Sequence, residues 1–397
     1  MAATAPTMPE EGVIRRDWGR FAAITFLFMF GFAIYMGAFQ NFFRDNISAD
    51  PVLLGGLESL REIPGLLAAL MTGLLLALAE ARIAALGLVV GGVGIGLTGA
   101  MGDYWPLVGI TIFWSVGFHL WSTMQPAIIL SLAKGKEGGR HLGRMRSVGA
   151  VATIAALGIA WTVSRFVPSM PYWAYFAAAG ATIVAAGILT LRLSHHASGG
   201  QRAPFVFRRR YGLFYAMTFL DGCRRQIFSI FALFTLIKVY GASLELVLFL
   251  SFVNAIVTTA TSPAMGRFID RVGEKIPLTI YAVGILAVFI GYATIPHMGW
   301  LIALYLVDNV LFTFSIGINT YLNRIVRSGE LTPCLAMGTT MNHVAAVSLP
   351  IVGALIWKAS GEYRLPFVLG AVLAFAALVV TRFLPAGPHP KPPPVAA

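Results

Sequence analysis

The chain has 397 residues, of which 57% are hydrophobic and only 12% charged, and its mean hydropathy is +0.77. These values exclude an ordinary soluble domain and indicate an integral membrane protein, and two cysteines in apolar segments exclude a disulfide framework. The net charge of +12 does not predict a nucleic-acid partner, because Lys and Arg accumulate in the cytoplasmic loops of membrane proteins.

A membrane span needs about 20 mainly apolar residues, and twelve segments meet this requirement. In chain order they lie near residues 18–40, 53–79, 83–101, 106–132, 146–167, 171–191, 211–239, 246–266, 277–296, 300–323, 334–357 and 365–384. The first segment is too long for a cleavable signal peptide, so we expect it to remain as the first span. The sequence therefore predicts an all-α integral membrane protein with 12 transmembrane helices.

Lys and Arg are distributed unevenly between alternate loops. With the N-terminus inside, 21 of the 29 Lys and Arg residues lie on the inner side, five lie on the outer side and three lie within spans. This asymmetry favours an even number of spans, with both the N- and C-termini cytoplasmic.

The longest polar connection, "SHHASGGQRAPFVFRRR", has six predicted spans on either side. It indicates two six-helix bundles with a substrate site between them, near the middle of the membrane. The predicted parts are a cytoplasmic N-terminal tail (1–17), an N-terminal bundle (18–193), a basic cytoplasmic linker (194–210), a C-terminal bundle (211–384) and a Pro-rich C-terminal tail (385–397).

Three charges, Asp221, Arg224 and Arg225, lie inside the apolar stretch 211–239. A charge at the centre of a membrane helix costs roughly 2.5–3.5 kcal/mol on insertion scales, so we expect partners for them. The three share one helix face, and the carboxylate can pair with one Arg at i+4. The remaining guanidinium then has two possible partners. One is an anionic group of the substrate. The other is Asp308 or an acid of span 2, in an internal ion-pair network that gates the two halves.

Other polar residues fall on spans 2, 4, 10 and 11, whereas the apolar cores of spans 3, 6, 9 and 12 contain no Asp, Glu, Lys, Arg or His. Polar residues in spans should face the bundle interior or water. The candidate substrate-binding residues are Arg224, Arg225, His119, Asn309, Asn342 and His343. His119 has an alternative role in a satisfied interhelical hydrogen bond.

Carboxylates in a low-dielectric environment can take up a proton near neutral pH. The candidate proton-coupling residues are Asp308, Asp221, Glu58 and Glu62, with Asp308 the first choice. The alternative for Asp308 and Asp221 is a permanently ionised partner of an arginine, and the alternative for Glu58 and Glu62 is an outer gate.

A stripe of sulfur-containing residues, Cys334, Met337 and Met341, recurs at i, i+3 and i+7 on span 11. Soft ligands of this kind select Cu(I), which permits a copper-transport interpretation. Met and Cys are also ordinary filling residues of packed helices, so packing is the alternative.

The loop "GRFIDRVGEK" (266–275) joins spans 8 and 9. Its glycines permit a tight turn, and Asp270 can pair with a neighbouring arginine or cap a helix. The cluster is a candidate latch for the cytoplasmic side, or an ordinary charged loop that sets topology. The candidate latch residues are Gly266, Arg267, Asp270, Arg271 and Gly273.

This loop resembles the cytoplasmic signature of the major facilitator superfamily (MFS): Gly, three residues, Asp, a basic residue, one residue, Gly and two basic positions. Glu274 departs from the pattern, and Lys275 fits it. With twelve spans in a 6+6 division, the resemblance covers nearly the whole chain and implies a rocker-switch transporter. Span 5 lacks the Gly-Pro pair that is typical of drug/proton antiporters, which makes export by antiport less favoured.

No P-loop, catalytic triad or metalloprotease spacing occurs, so we expect neither an enzyme, nor ATP-driven transport, nor a cofactor. The glycine-rich "GLVVGGVGIG" (87–96) lies inside a span and indicates close helix packing. A channel is an alternative, but the two-bundle repeat and the central charges favour alternating access.

The sequence thus predicts a monomeric, proton-coupled secondary transporter of the bacterial inner membrane that moves a small solute with an anionic group. Its partners would be the solute, protons and membrane lipid. Two alternatives remain: copper uptake through the sulfur stripe, and a non-transporting membrane sensor or assembly factor on the same fold.

Overall fold

The computed structural model describes residues 11–67, 71, 78–133, 138–194, 207–327 and 330–387, and no β-strand occurs among them. The predicted tails and linker therefore lie largely outside the described residues. The α-helices are α1 (Glu11–Phe42), α2 (Pro51–Arg61), α3 (Ile63–Leu66), α4 (Glu80–Leu97), α5 (Tyr104–Leu132), α6 (Gly138–Phe166), α7 (Tyr172–Thr190), α8 (Gly212–Lys238), α9 (Leu244–Val272), α10 (Lys275–Thr294), α11 (Met298–Phe312), α12 (Ile316–Ile325), α13 (Leu331–Ser360) and α14 (Leu365–Thr381).

Within these described ranges, nine helical segments are long and apolar enough to cross a membrane. The helix α14 is apolar but shorter, and a 3-10 turn, Thr313–Ser315, joins α11 and α12 into one of the nine segments. These segments confirm an all-helical integral membrane protein. The count of twelve spans and the placement of both termini in the cytoplasm stay predictions.

Three predicted spans are not among the nine segments: the last one, which is α14, and two others. The helix α8 has 27 residues but carries the three charges in its middle. The second span, predicted as one helix from 53 to 79, is interrupted: α2 ends at Arg61, Glu62 caps it, and α3 covers only Ile63–Leu66. A continuous helix is wrong here because Pro64 has no backbone N–H to donate and disfavours helical geometry at the residue before it.

The described helices fall into two compact units, of which the first comprises Met1–Phe42 and Pro64–Arg202. In this unit α4 packs against α5 and α7, while α1 packs against α6 and α7. A Cβ at Gly117 would lie 2.3 Å from the backbone nitrogen of Gly91, and one at Gly180 would lie 2.4 Å from the carbonyl oxygen of Gly92. The prediction that the glycine-rich segment allows close helix packing is confirmed.

The second unit comprises Phe43–Ile63 and Ala203–Ala397. Its helix α13 packs against both α2 and α8, and α14 packs against α8 and α10. The backbone of Pro350 on α13 approaches Gly55 on α2, and the Ile351 amide donates to the Ser59 hydroxyl at 3.2 Å. Residues 43–63 thus pack with the C-terminal half of the chain. The division into two six-helix bundles at the linker stays a prediction.

Candidate substrate and proton site

The middle of α8 carries the charged residues that the sequence singles out. Asp221 Oδ1 accepts a hydrogen bond from Arg224 Nε at 3.3 Å, a pairing at i+3, and the side chain of Arg224 is 3% exposed. The expected pairing of Asp221 with the arginine at i+4, Arg225, is therefore wrong, because its partner is Arg224 at i+3.

Arg224 is also paired across to α11. Its Nη1 lies 3.1 Å from Asp308 Oδ1 and 3.4 Å from Oδ2, and both side chains are buried. One guanidinium thus holds two carboxylates, one on its own helix and one on a neighbour. The structure contains the Arg–Asp308 ion pair that the sequence analysis gave as the alternative to direct substrate binding by Arg224.

Aromatic rings complete this cluster. The Tyr281 hydroxyl on α10 donates to Asp221 Oδ1 at 2.5 Å, and the Cζ atom of Arg224 lies 5.1 Å from the ring centroids of both Tyr281 and Phe312. Rings at this distance attract a guanidinium through their negative faces and replace part of its lost hydration. The Nη2 atom of Arg224 is buried and has no acceptor among the described residues.

Arg225 differs from its neighbour. Within the described part of the chain, no carboxylate forms an ion pair with it, and its recorded contact is with the Phe312 ring, whose centroid lies 5.8 Å from Cζ. Its side chain is only partly buried. The uneven pairing matches the sequence argument that one of the two guanidinium groups lacks an acid partner.

A second cluster of charges lies at the end of α2. Arg61 pairs with Glu58 at 2.6 Å and with Glu62 at 3.0 Å, and Glu62 Oε2 lies 3.2 Å from Nδ1 of His343 on α13. The sequence placed Glu58 and Glu62 together, and the structure adds His343, which was predicted as a substrate residue.

His119 lies in the first unit, on α5, and is buried. Its Nδ1 lies 2.8 Å from the carbonyl oxygen of Ser115. The Ser115 hydroxyl lies 3.2 Å from the same nitrogen, so both contacts are with the preceding turn of α5. Phe118 and Trp121 lie on the same helix, and their rings contact Phe28 of α1. This aromatic cluster belongs to the core of the unit.

The two asparagines make local or packing contacts. Asn309 Nδ2 donates to the carbonyl of Tyr305 on the same helix at 2.8 Å. Asn342 Oδ1 is buried with no donor among the described residues, and it lies 2.5 Å from where a Cβ of Gly222 would be. Gly222 therefore allows α8 and α13 to approach each other beside Asp221.

The loop motif is only partly a turn. Gly266 lies inside α9, so a tight turn at this residue is wrong, whereas Gly273 ends the helix with φ of +81°. Asp270 is exposed and has no hydrogen bond or ion pair with Arg267 or Arg271 in the structure. The helix continues through these residues, so their side chains project into solvent instead of meeting across a turn.

The departing residue of the motif is the buried one. Glu274 is 0% exposed, and its Oε2 lies 3.2 Å from Nη1 of Arg324, which also donates to the carbonyl of Gly387. Beside it, Lys275 donates to the carbonyl of Arg382 at 3.0 Å. The ion pair at this end of the unit is made by a residue that the family pattern does not include.

The sulfur stripe lies at the start of α13. Cys334 and Met337 are buried, and Cys334 Sγ accepts a hydrogen bond from the Tyr215 hydroxyl at 3.8 Å. Met341 is partly buried. The copper interpretation stays a prediction.

A family model described as the Major Facilitator Superfamily matches residues 21–332. The chain belongs to the major facilitator superfamily. As a member of this family it is an integral membrane secondary transporter of small molecules and not an enzyme. No curated protein is detectably similar to it in sequence.

Solved MFS structures share its fold. The nucleoside transporter NupG superposes with a TM-score of 0.73 at 16% identity, covering 93% of this chain and 100% of that one. A D-xylose–proton symporter gives 0.68 at 15% identity, covering 93% and 97%. A bacterial homologue of the human lysosomal transporter Spinster gives 0.71 at 11% identity, covering 94% and 98%. At these identities the comparison shows the MFS fold alone.

Two residues of the charged cluster are absent from the candidates that the sequence predicts. Tyr281 lies on span 9, which contains no charged residue, and tyrosine was not counted among the polar groups. Phe312 follows Asp308 by four residues on one helix face, a spacing that does signal proximity. Arg324, which pairs with Glu274 at the end of the unit, was counted only among the basic residues of the inner side.

Proposed function

We propose that this MFS protein is a proton-coupled symporter of the bacterial inner membrane for a small solute that carries an anionic group. The observation that carries the proposal is Arg225, a cation in the middle of a membrane helix with no carboxylate partner in the described structure. A guanidinium in such a position needs an anion, and a planar carboxylate or phosphate can bind it through two hydrogen bonds.

The neighbouring Arg224 is less suited to this role. Asp221 and Asp308 already occupy its Nε and Nη1 atoms. Removing either acid from a buried pair leaves an uncompensated charge, which is strongly unfavourable. A solute anion therefore meets Arg225 first, beside the Phe312 ring that contacts both arginines.

The charges of the cluster supply a coupling mechanism. With Asp221 and Asp308 ionised and both arginines protonated, the four groups have no net charge. A proton on Asp308 or Asp221 leaves one positive charge, which a solute anion neutralises. Proton and anion therefore bind more favourably together than separately, as symport requires.

Proteoliposomes that contain a pH-sensitive dye test the proposal with a panel of carboxylates, sulfonates and phosphates. We expect at least one anion to be taken up together with protons. Asp221→Asn and Asp308→Asn each leave the cluster with one positive charge, as a bound proton does. Each should therefore abolish proton uptake but retain exchange of labelled anion, because exchange needs no net proton transfer. Arg225→Gln should abolish both activities, and the exposed Arg382→Gln serves as the matched control.

Uptake of uncharged solutes without any anion would contradict the anionic-solute proposal. Anion uptake without proton movement would contradict the coupling. If none of the anions in the panel is taken up, the anionic-solute proposal is wrong.

A further inference from the structure

The second unit contains a cleft between α8, α10, α12 and α14. Asp221, Arg224 and Tyr281 lie among its lining residues, and the rest of the lining is mostly small or apolar, including Ile318, Ala374 and Ala377. The cleft lies inside one unit, on the side of the charged cluster where α8 faces α10.

The cleft reaches from one end of these helices to the charged cluster. Thr381, which is the last residue of α14, and Leu278, the fourth residue of α10, line the part next to the helix ends. Tyr281 lies six residues from the start of α10, about 9 Å along the axis, and Asp221 lies nine residues from the start of α8, about 14 Å. The carboxylate thus lies roughly half a membrane thickness from the helix ends at which Leu278 and Thr381 lie.

The helix ends around the mouth of the cleft are held together by polar contacts. Lys275 donates to the carbonyl of Arg382, and the Thr279 hydroxyl donates to the Thr381 hydroxyl at 3.2 Å. These contacts show that the start of α10 and the end of α14 lie at the same end of the unit. Polar groups of these helix ends therefore lie beside the outer part of the cleft, which Thr381 lines, while Ala374 and Ala377 line it further in.

A buried donor points to water in the cleft. Arg224 lines it and keeps its Nη2 atom buried without an acceptor among the described residues. An unpaired guanidinium N–H is costly in a low-dielectric environment, and an ordered water is the usual acceptor for such a group.

We propose that this cleft is a one-sided water path by which Asp221 exchanges protons with the membrane face that carries Lys275. The role of this path in transport rests on the proposed proton coupling, but the access of water to Asp221 does not. The path is separate from the route of the solute, because Arg225 is not among the residues that line the cleft.

The groups around the Asp221 carboxylate come from several helices. Two groups touch its carboxylate directly, Arg224 on its own helix and Tyr281 on α10, and Asp308 on α11 lies beyond Arg224. The nearby face of α13 presents the neutral Asn342 beside Gly222. Arg225 follows on the same helix, and α12 and α14 contribute only uncharged residues to the lining.

Reaction of introduced cysteines with Ag⁺ tests the water path. Ag⁺ needs water to reach a thiolate and is small enough for a narrow path. In a Cys223→Ala/Cys334→Ala background, the variants are Ala374→Cys and Ala377→Cys in the cleft, with Val372→Cys as the matched control on the exposed side of the same helix. Asp270→Cys, on the exposed end of α9, marks the sidedness of the vesicles.

After Ag⁺ is added to one side, the protein is unfolded and free thiols are counted with a maleimide. Ag⁺ that has reached a cysteine protects it from the maleimide. Cysteines at 374 and 377 should be protected at least tenfold faster when Ag⁺ is added to the side from which it protects cysteine 270 than when it is added to the other side. Cysteine 372 should not be protected from either side. Adding Ala377→Leu should slow protection at 374 at least tenfold, because residue 377 lies between it and the mouth.

Absence of protection at 374 and 377 from both sides would overturn the proposal, as would faster protection from the opposite side. One-sided protection without proton-coupled uptake in proteoliposomes would uphold the water path and contradict only the proposed coupling.

Discussion

Arg224 and Asp308, 84 positions apart in sequence, form a buried ion pair with 3.1 Å between Nη1 and Oδ1. The pair links α8 to α11 inside the second unit. Together with Asp221 it fixes one of two adjacent guanidinium groups, whereas Arg225 has no carboxylate partner in the described part of the chain. The functional account depends on this difference between neighbouring arginines.

The first prediction concerns the ion pair. Asp308→Leu should lower the free energy of unfolding by about 3 kcal/mol or more, because it leaves a buried guanidinium with a single acid. The double variant Arg224→Met/Asp308→Leu should lose less than the single one. Unfolding in detergent can be followed with a thiol-reactive dye, since Cys223 and Cys334 are both buried in the folded protein. Equal losses in the single and double variants would contradict the pairing.

A second prediction concerns helix packing in the first unit. Gly117→Ala should destabilise the protein by about 1–3 kcal/mol, because its Cβ would meet the backbone of Gly91 on α4 at 2.3 Å. Gly109→Ala on the same helix has no atom within 4 Å of its Cβ and should be neutral or slightly stabilising. If both substitutions have the same effect on unfolding temperature, the close approach of α4 and α5 is wrong.

A third prediction concerns pH. The Tyr211 hydroxyl donates to Glu330 at 2.6 Å, and this hydrogen bond, with the nearby Arg208, holds the pKa of the Glu330 carboxyl below its usual value. A carboxyl whose pKa is lower in the folded state stabilises the protein above its unfolded pKa, about 4.3, and loses this contribution as the pH falls through the folded pKa.

Tyr211→Phe removes the hydrogen bond and should return the pKa of Glu330 towards its usual value. The decline in unfolding temperature between roughly pH 5 and pH 3 should then be shallower than in wild type. The matched variant is Tyr363→Phe, which removes a hydroxyl bonded to Tyr240 instead of to a carboxylate. Parallel pH profiles for wild type and Tyr211→Phe would refute the assignment.

Much of the fold follows from the sequence because hydrophobic length is a strong signal. Pro64 also signals the break in the helix after Glu62. The long apolar run that follows Pro64 nevertheless favoured one continuous span in the prediction. The prediction that Gly266 forms a turn failed because glycine permits a turn without requiring one, and nothing else ends α9 before Gly273.

The candidate site was recovered in part. Clustered charges on α8 identified Asp221, Arg224 and Arg225, since charges in an apolar helix need partners. Which arginine pairs with Asp308 depends on how α8 packs against α11. The distance between side chains on two different helices cannot be read from a single sequence. Tyr281 was missed because its span carries no charged residue to mark it, and the carboxylate that its hydroxyl contacts lies on another helix.

The most direct test of the central claim is thermal stabilisation of the purified protein by small organic carboxylates, sulfonates and phosphates, compared among wild type, Arg225→Lys and Arg225→Gln. A ligand that binds only the folded state at 100 times its dissociation constant adds about 2.7 kcal/mol to stability.

We expect an anion to stabilise wild type, to stabilise Arg225→Lys less, because an ammonium makes no bidentate contact, and to leave Arg225→Gln unchanged. Equal stabilisation of wild type and Arg225→Gln by the same anion would contradict the assignment of Arg225 as the residue that binds the solute.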